Sequence, residues 1–188
     1  MSTSTPEQMI NIFKARTPMQ PLTPTTVWNA QLDDEIASLS IEGNQHLVAS
    51  VALKAGLHLL NDSLNRSHAF AQQIEQDSLG AYWHGVMHRM EGDYSNAKYW
   101  FRQAGHLTGW TNPQNQVQRS IESSLATGHS LPASLISFGQ KEHWDALAFT
   151  DLVIEQERGD GTEVLSKLLQ SIQREELLSL IQYTYEAT

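Results

Sequence analysis

The 188-residue chain contains no cysteine. Disulfides, thiolate nucleophiles and cysteine-ligated zinc sites are excluded at once. The same absence suits a reducing compartment, so a cytoplasmic location is the expectation. No apolar run approaches the ~18 residues needed to span a bilayer. The stretch MSTSTPEQMINIFKARTP lacks the apolar core of a secretory signal. Basic residues are scarce: 12 Lys and Arg against 21 Asp and Glu give a formal charge of −9. So acidic a chain is a poor binder of phosphate backbones and anionic membranes, and neither nucleic acid nor membrane is expected as a partner. The Gly-rich nucleotide loop ending in Lys-Ser/Thr, the Gly-x-Ser-x-Gly elbow and the dinucleotide fingerprint are all missing.

Sustained period-two alternation is also missing, and helical spacing fills the chain instead. Thr5-Pro6 opens a short helix carrying Met9, Ile10, Ile12 and Phe13. Pro18, Pro21 and Pro24 then favour an extended strap, so residues 1–27 are expected to tether over the core. Residues 28–188 are expected to form a single α-helical domain, a size ample for one core. Helical stripes cover 28–40, 45–61, 64–76, 79–91, 94–104 and about 114–127. A short turn at LPASLISFG precedes further stripes at 142–158, 162–172 and 174–186. The fold class is all-α: a compact helical array of about eight helices.

One segment has internal logic beyond periodicity. From Gly85 the chain reads G-x-x-H-x-x-x-G-D-Y-x-x-A-x-x-x-F-x-x-A, with Gly92, Asp93, Tyr94, Ala97, Phe101 and Ala104 as its later members. Gly85 and Ala97 allow two helices to approach closely. Gly92 stops the first helix and Asp93 caps the second. This segment resembles a tetratricopeptide hairpin. A second, weaker likeness lies some thirty residues earlier, in AGLHLLNDSLNRSHAFAQQI, with Gly56 facing Gly85 and Ser67 facing Ala97. Two such hairpins are therefore expected. The departures from the pattern carry the interest: His84 stands where the repeat carries Leu, and His88 where it carries Tyr. Both positions pack inside a hairpin, and a buried imidazole needs hydrogen-bond partners or a metal.

A broader stretch, GAYWHGVMHRMEGDYSNAKYWFRQAGH with RSHAFAQ before it and HWDALAFTDLV after it, resembles an uncharacterised family of bacterial helical proteins. The resemblance spans roughly residues 45–155 and implies a shared polar cluster drawn from Ser67, His68, Trp83, His84, His88, Arg89, Glu91, Asp93, Asn96, Tyr99 and Trp100. Met90 departs from the family's second Arg. The resemblance implies a fold and a cluster, and no reaction.

His-x3-His places two imidazoles on one helical face, a common geometry for a divalent metal. Glu91, one turn beyond His88, is either a third ligand or the partner that fixes a tautomer. His68 is a further donor from the preceding helix. Arg89 could hold a carboxylate or phosphate, or form an ion pair. Asn96, Tyr99 and Trp83 complete the candidate ligand-binding set. Asp151 lies in the apolar helix HWDALAFTDLV, where an acid calls for an internal partner, with Arg89 or a histidine the obvious choice. Such a pair could act as a general base.

Two functions compete on these residues. The first is a small-molecule pocket lined by His68, His84, His88 and Glu91, with Asp151 as a further acid–base candidate and a divalent metal as the candidate cofactor. The second is a tetratricopeptide-like interaction module without catalysis, binding a peptide or a second copy of itself. What His84 and His88 face decides between them.

Overall fold

The computed structural model describes residues 4–40, 47–159 and 161–188. Residues 45 and 46 of the expected third helix lie outside them. The described residues form ten α-helices and one 3-10 turn, with no strand. In order these are α1 (Pro6–Lys14), α2 (Ala30–Ser38), α3 (Val48–Leu60), α4 (Leu64–Ala71), the 3-10 turn (Gln72–Ile74), α5 (Ser78–Glu91), α6 (Tyr94–Ala104), α7 (Gln114–Ala126), α8 (Ala133–Gly139), α9 (Ala146–Arg158) and α10 (Glu163–Glu186).

The all-α class holds, while the count of about eight falls short. One expected division is absent: residues 162–172 and 174–186 form the single 24-residue α10. Gln173, left between the two expected stripes, falls mid-helix. It is buried, and its side-chain amide donates to the carbonyls of Pro21 and Leu22 in the strap at 3.3 Å each.

Two cores flank α10. One gathers Phe13, Ile36, Leu53, Leu57, Trp83, Met87 and Phe101 against Leu177, Leu180 and Ile181. The other gathers Val117, Ile121, Leu135, Phe138, Phe149 and Val153 against Leu169 and Ile172. The strap joins both, Leu22 entering the second core while Gln20 donates to the Leu59 carbonyl at 2.8 Å.

α5 and α6 form a tight pair. Gly92 adopts a left-handed φ of +87° that ends α5, and Asp93 accepts from the Asn96 amide at 3.1 Å to start α6. A Cβ on Gly85 would lie 2.8 Å from the Phe101 ring, so this glycine sets the helix separation. The proposed equivalence of Gly56 does not extend to this detail. A Cβ there would strike Trp83 and Ile181 at 2.6 Å, so Gly56 admits α5 and α10.

A buried polar knot ties α2 to α3. His58 Nδ1 sits 2.7 Å from Asp33 Oδ1, and Asn61 and Ser63 also donate to that carboxylate. Burial lowers the His58 pKa below 6.5, against the opposing pull of Asp33. Burial pushes Asp33 upward, but bonds from His58, Asn61 and Ser63 outweigh it and hold Asp33 below 3.8. Neutral His58 thus donates Nδ1–H to an ionised Asp33. A base depressed in the native state binds fewer protons there than when unfolded. Stability is therefore present above pH 6.5 and declines as pH falls below it, with a further decline through Asp33 below 3.8. Urea midpoints measured at pH 7.5 and 5 should drop for the wild type. His58→Gln should show a smaller drop.

Candidate metal centre

Helix α5 is buried along nearly its whole length, from Leu79 to Met90. Its faces are divided among three neighbours. Trp83 and Met87 enter the first core, Tyr82 and Arg89 turn towards α10, and His84 and His88 turn towards α4 and α6. The spacing of four residues stacks the two imidazoles, with centroids 4.8 Å apart and planes 18° apart. On the other side of His84 lies the Trp100 indole, 4.3 Å away and 17° from parallel. α4 supplies His68, whose ring is tilted 48° to His84 and 65° to His88 at centroid distances of 4.9 and 5.3 Å. One potential ligand nitrogen from each of His68, His84 and His88 lies within 4.8 Å of the others.

His84 is the least satisfied of the three. It is 3% exposed, and neither of its ring nitrogens has a hydrogen-bond partner. Burial first, and then the charges His88 and His68 can carry, push its pKa down to about 4. The ring is therefore neutral near pH 7, with a lone pair available. The nearest carboxylate is Glu75, at the end of the 3-10 turn, whose Oε2 lies 3.7 Å from His84 Nδ1. Glu91 Oε2 lies 3.1 Å from His88 Nδ1.

The sequence candidates distribute unevenly. His68, His84 and His88 meet, while Glu91 sits behind His88, as a hydrogen-bond partner would. Asp151 does not find the internal partner expected for it. It is exposed, 57% in its side chain, and pairs with Lys98 of α6. α9 turns this edge outward, because Phe149, Leu152 and Val153 already fill its buried side. Arg89 does not line the cluster either. It is fully buried and bonded to Glu176 of α10, with its guanidinium between the Phe101 and Phe149 rings. Trp83 is committed to the core, its indole N–H donating to Thr184 at 3.1 Å. Asn96 donates to Asp93 at the start of α6. Tyr99 is 49% exposed and packs edge-on against Trp100, touching the cluster only through that ring.

Glu75 and Glu176 carry weight that their sequence positions do not announce. Trp100, expected in the polar cluster, stands in it by stacking on His84. Glu75 follows a 3-10 turn, where helical spacing from His84 no longer applies.

No family model, curated protein or solved structure matches the chain.

Proposed function

We propose that this protein binds a divalent transition metal through His68, His84 and His88, on a scaffold of tetratricopeptide-like hairpins. The observation that carries the reading is His84. A buried imidazole with two unpartnered nitrogens is unfavourable by about 1–3 kcal/mol, and a metal ion relieves it. Tetrahedral zinc with Zn–N bonds of about 2.0–2.1 Å spaces ligand nitrogens about 3.3 Å apart. The cluster's 4.8 Å upper limit lies within reach of that by side-chain rotation. Imidazole donors select zinc, cobalt, nickel or copper over magnesium and calcium. Three protein ligands leave a fourth position for water or a small polar ligand, the arrangement used for Lewis-acid chemistry. The hairpin reading draws support from the Gly92 stop, the Asp93 cap and the Gly85–Phe101 approach. In it the two histidines take apolar packing positions, and the metal explains why.

One substitution separates this reading from a purely structural one. His84→Leu restores the residue type that the hairpin pattern carries. It should raise the stability of the metal-free protein by about 1–3 kcal/mol by removing two buried unpartnered nitrogens. The same change should weaken zinc or cobalt binding by more than about 100-fold. Isothermal titration of the full chain, with urea unfolding in parallel, reads both. A wild type that takes up no metal overturns the proposal. So does a variant that is destabilised and still binds.

A further inference from the structure

Metal coordination by His84 and His88 requires each ring to present a particular nitrogen, and two carboxylates bear on that choice. Glu91 approaches His88 at Nδ1, 3.1 Å away, and Glu75 approaches His84 at Nδ1, 3.7 Å away. They come from opposite ends of α5. Glu75 lies three residues before the helix starts at Ser78, and Glu91 is its last residue. Both face Nδ1. A carboxylate favours the tautomer that places a proton on the nitrogen it faces, which leaves the other nitrogen as the lone-pair donor.

We infer that Glu75 and Glu91 are positioning residues that hold His84 and His88 as Nδ1–H tautomers and so reserve both Nε2 atoms for the ion. Only the last step rests on the metal reading, since the tautomers belong to the chain itself. The stacking of the two rings fits this arrangement. Parallel imidazoles one turn apart can present the same nitrogen in the same direction, while the tilted His68 approaches from α4. Glu91 is already within hydrogen-bond distance. Glu75 must close from 3.7 Å to about 3.0 Å. Its side chain is 30% exposed and follows a short 3-10 turn, so it is free of the constraint of a long helix. With both carboxylates outside the coordination set, the ligands are three neutral imidazoles. The ion keeps its full double charge, and its fourth position favours water or an anionic ligand atom.

The tautomers can be read without any metal. Long-range proton–nitrogen correlation on histidine-labelled protein at pH 8 should show His84 and His88 as Nδ1–H forms. Glu75→Ala should shift His84 alone towards the Nε2–H form. Glu75→Gln should retain Nδ1–H, because its amide oxygen still accepts. Cobalt titration of the same proteins should show 10- to 100-fold weaker binding for Glu75→Ala, on the order expected for loss of an outer carboxylate. The visible band should keep its position, and Glu75→Gln should recover part of the affinity. An Nε2–H form of His84 in the wild type overturns the inference and leaves the metal reading intact. Unchanged tautomer and affinity in Glu75→Ala do the same. A shifted cobalt band in Glu75→Ala makes Glu75 a ligand, and this too overturns its positioning role. A wild type with Nδ1–H tautomers and no cobalt uptake overturns the metal reading and the final step, while the tautomer assignment stands.

Discussion

Arg89→Met should lower the stability of the protein by about 3–5 kcal/mol, a large part of the 5–15 kcal/mol typical of a domain. Arg89 and Glu176 are both 0% exposed in their side chains, and they pair where the two cores meet. Arg89 lies against Phe101 of one core and Phe149 of the other. Glu176 also accepts from the Tyr82 hydroxyl at 2.8 Å, which in turn accepts from the Trp144 indole at 2.7 Å. Removing the guanidinium strands a carboxylate with only a phenol for company. The gap between variant and wild type should narrow as pH falls, because the stranded carboxylate can take up a proton. The double variant Arg89→Met, Glu176→Leu should recover much of the loss, since a buried pair exchanged for apolar groups is often neutral. Urea unfolding of the three proteins at pH 7 and 5 measures all of this. A single variant as stable as the wild type would show that the pair contributes nothing.

Gly80→Val should cost at least about 3 kcal/mol, at or beyond the upper end for overpacking. A Cβ at Gly80 would lie 2.1 Å from the Ile74 carbonyl oxygen and 2.7 Å from its carbon. These are backbone atoms of the 3-10 turn, so no side-chain rotation relieves the clash. The turn must move, and Glu75 moves with it. Metal affinity should therefore fall along with stability, although Gly80 supplies no ligand atom. Gly92→Ala provides the contrast. Its Cβ would meet open space, and only the left-handed φ of +87° opposes it, for about 1 kcal/mol. Its metal affinity should be unchanged. Paired urea unfolding and zinc titration distinguish the two, and a Gly80→Val protein with normal stability would sink the clash argument.

The parts of this structure legible in sequence are those set by local chemistry. Gly92, Asp93, Ala97 and Phe101 announce a stop, a cap and a packed stripe within a few residues of one another. The His84–His88 pair is legible because four residues make one helical turn. His68 is legible only as a donor from a neighbouring helix. What escapes is set by distance along the chain. Arg89 finds Glu176 at a separation of 87 residues, and nothing near Glu176 marks it as buried. Asp151 misleads because its neighbours are apolar, yet the helix turns that one edge to solvent beside Lys98. Gln173 is the opposite case, a polar residue buried while its amide donates to Pro21 and Leu22, 152 and 151 residues away.

The position of α10 has a consequence for biosynthesis. It contributes Leu177, Leu180 and Ile181 to one core and Leu169 and Ile172 to the other, and it supplies Glu176 to Arg89. The other nine α-helices of the described residues are translated before it. As the nascent chain emerges, α1 to α9 carry apolar faces that lack their common wall, and Arg89 has no counter-ion. At about 5–20 residues per second the ribosome needs several seconds to run from α5 to the end of α10. During that interval the exposed surfaces are open to chaperones and to aggregation, and both cores gain their shared wall only when α10 arrives.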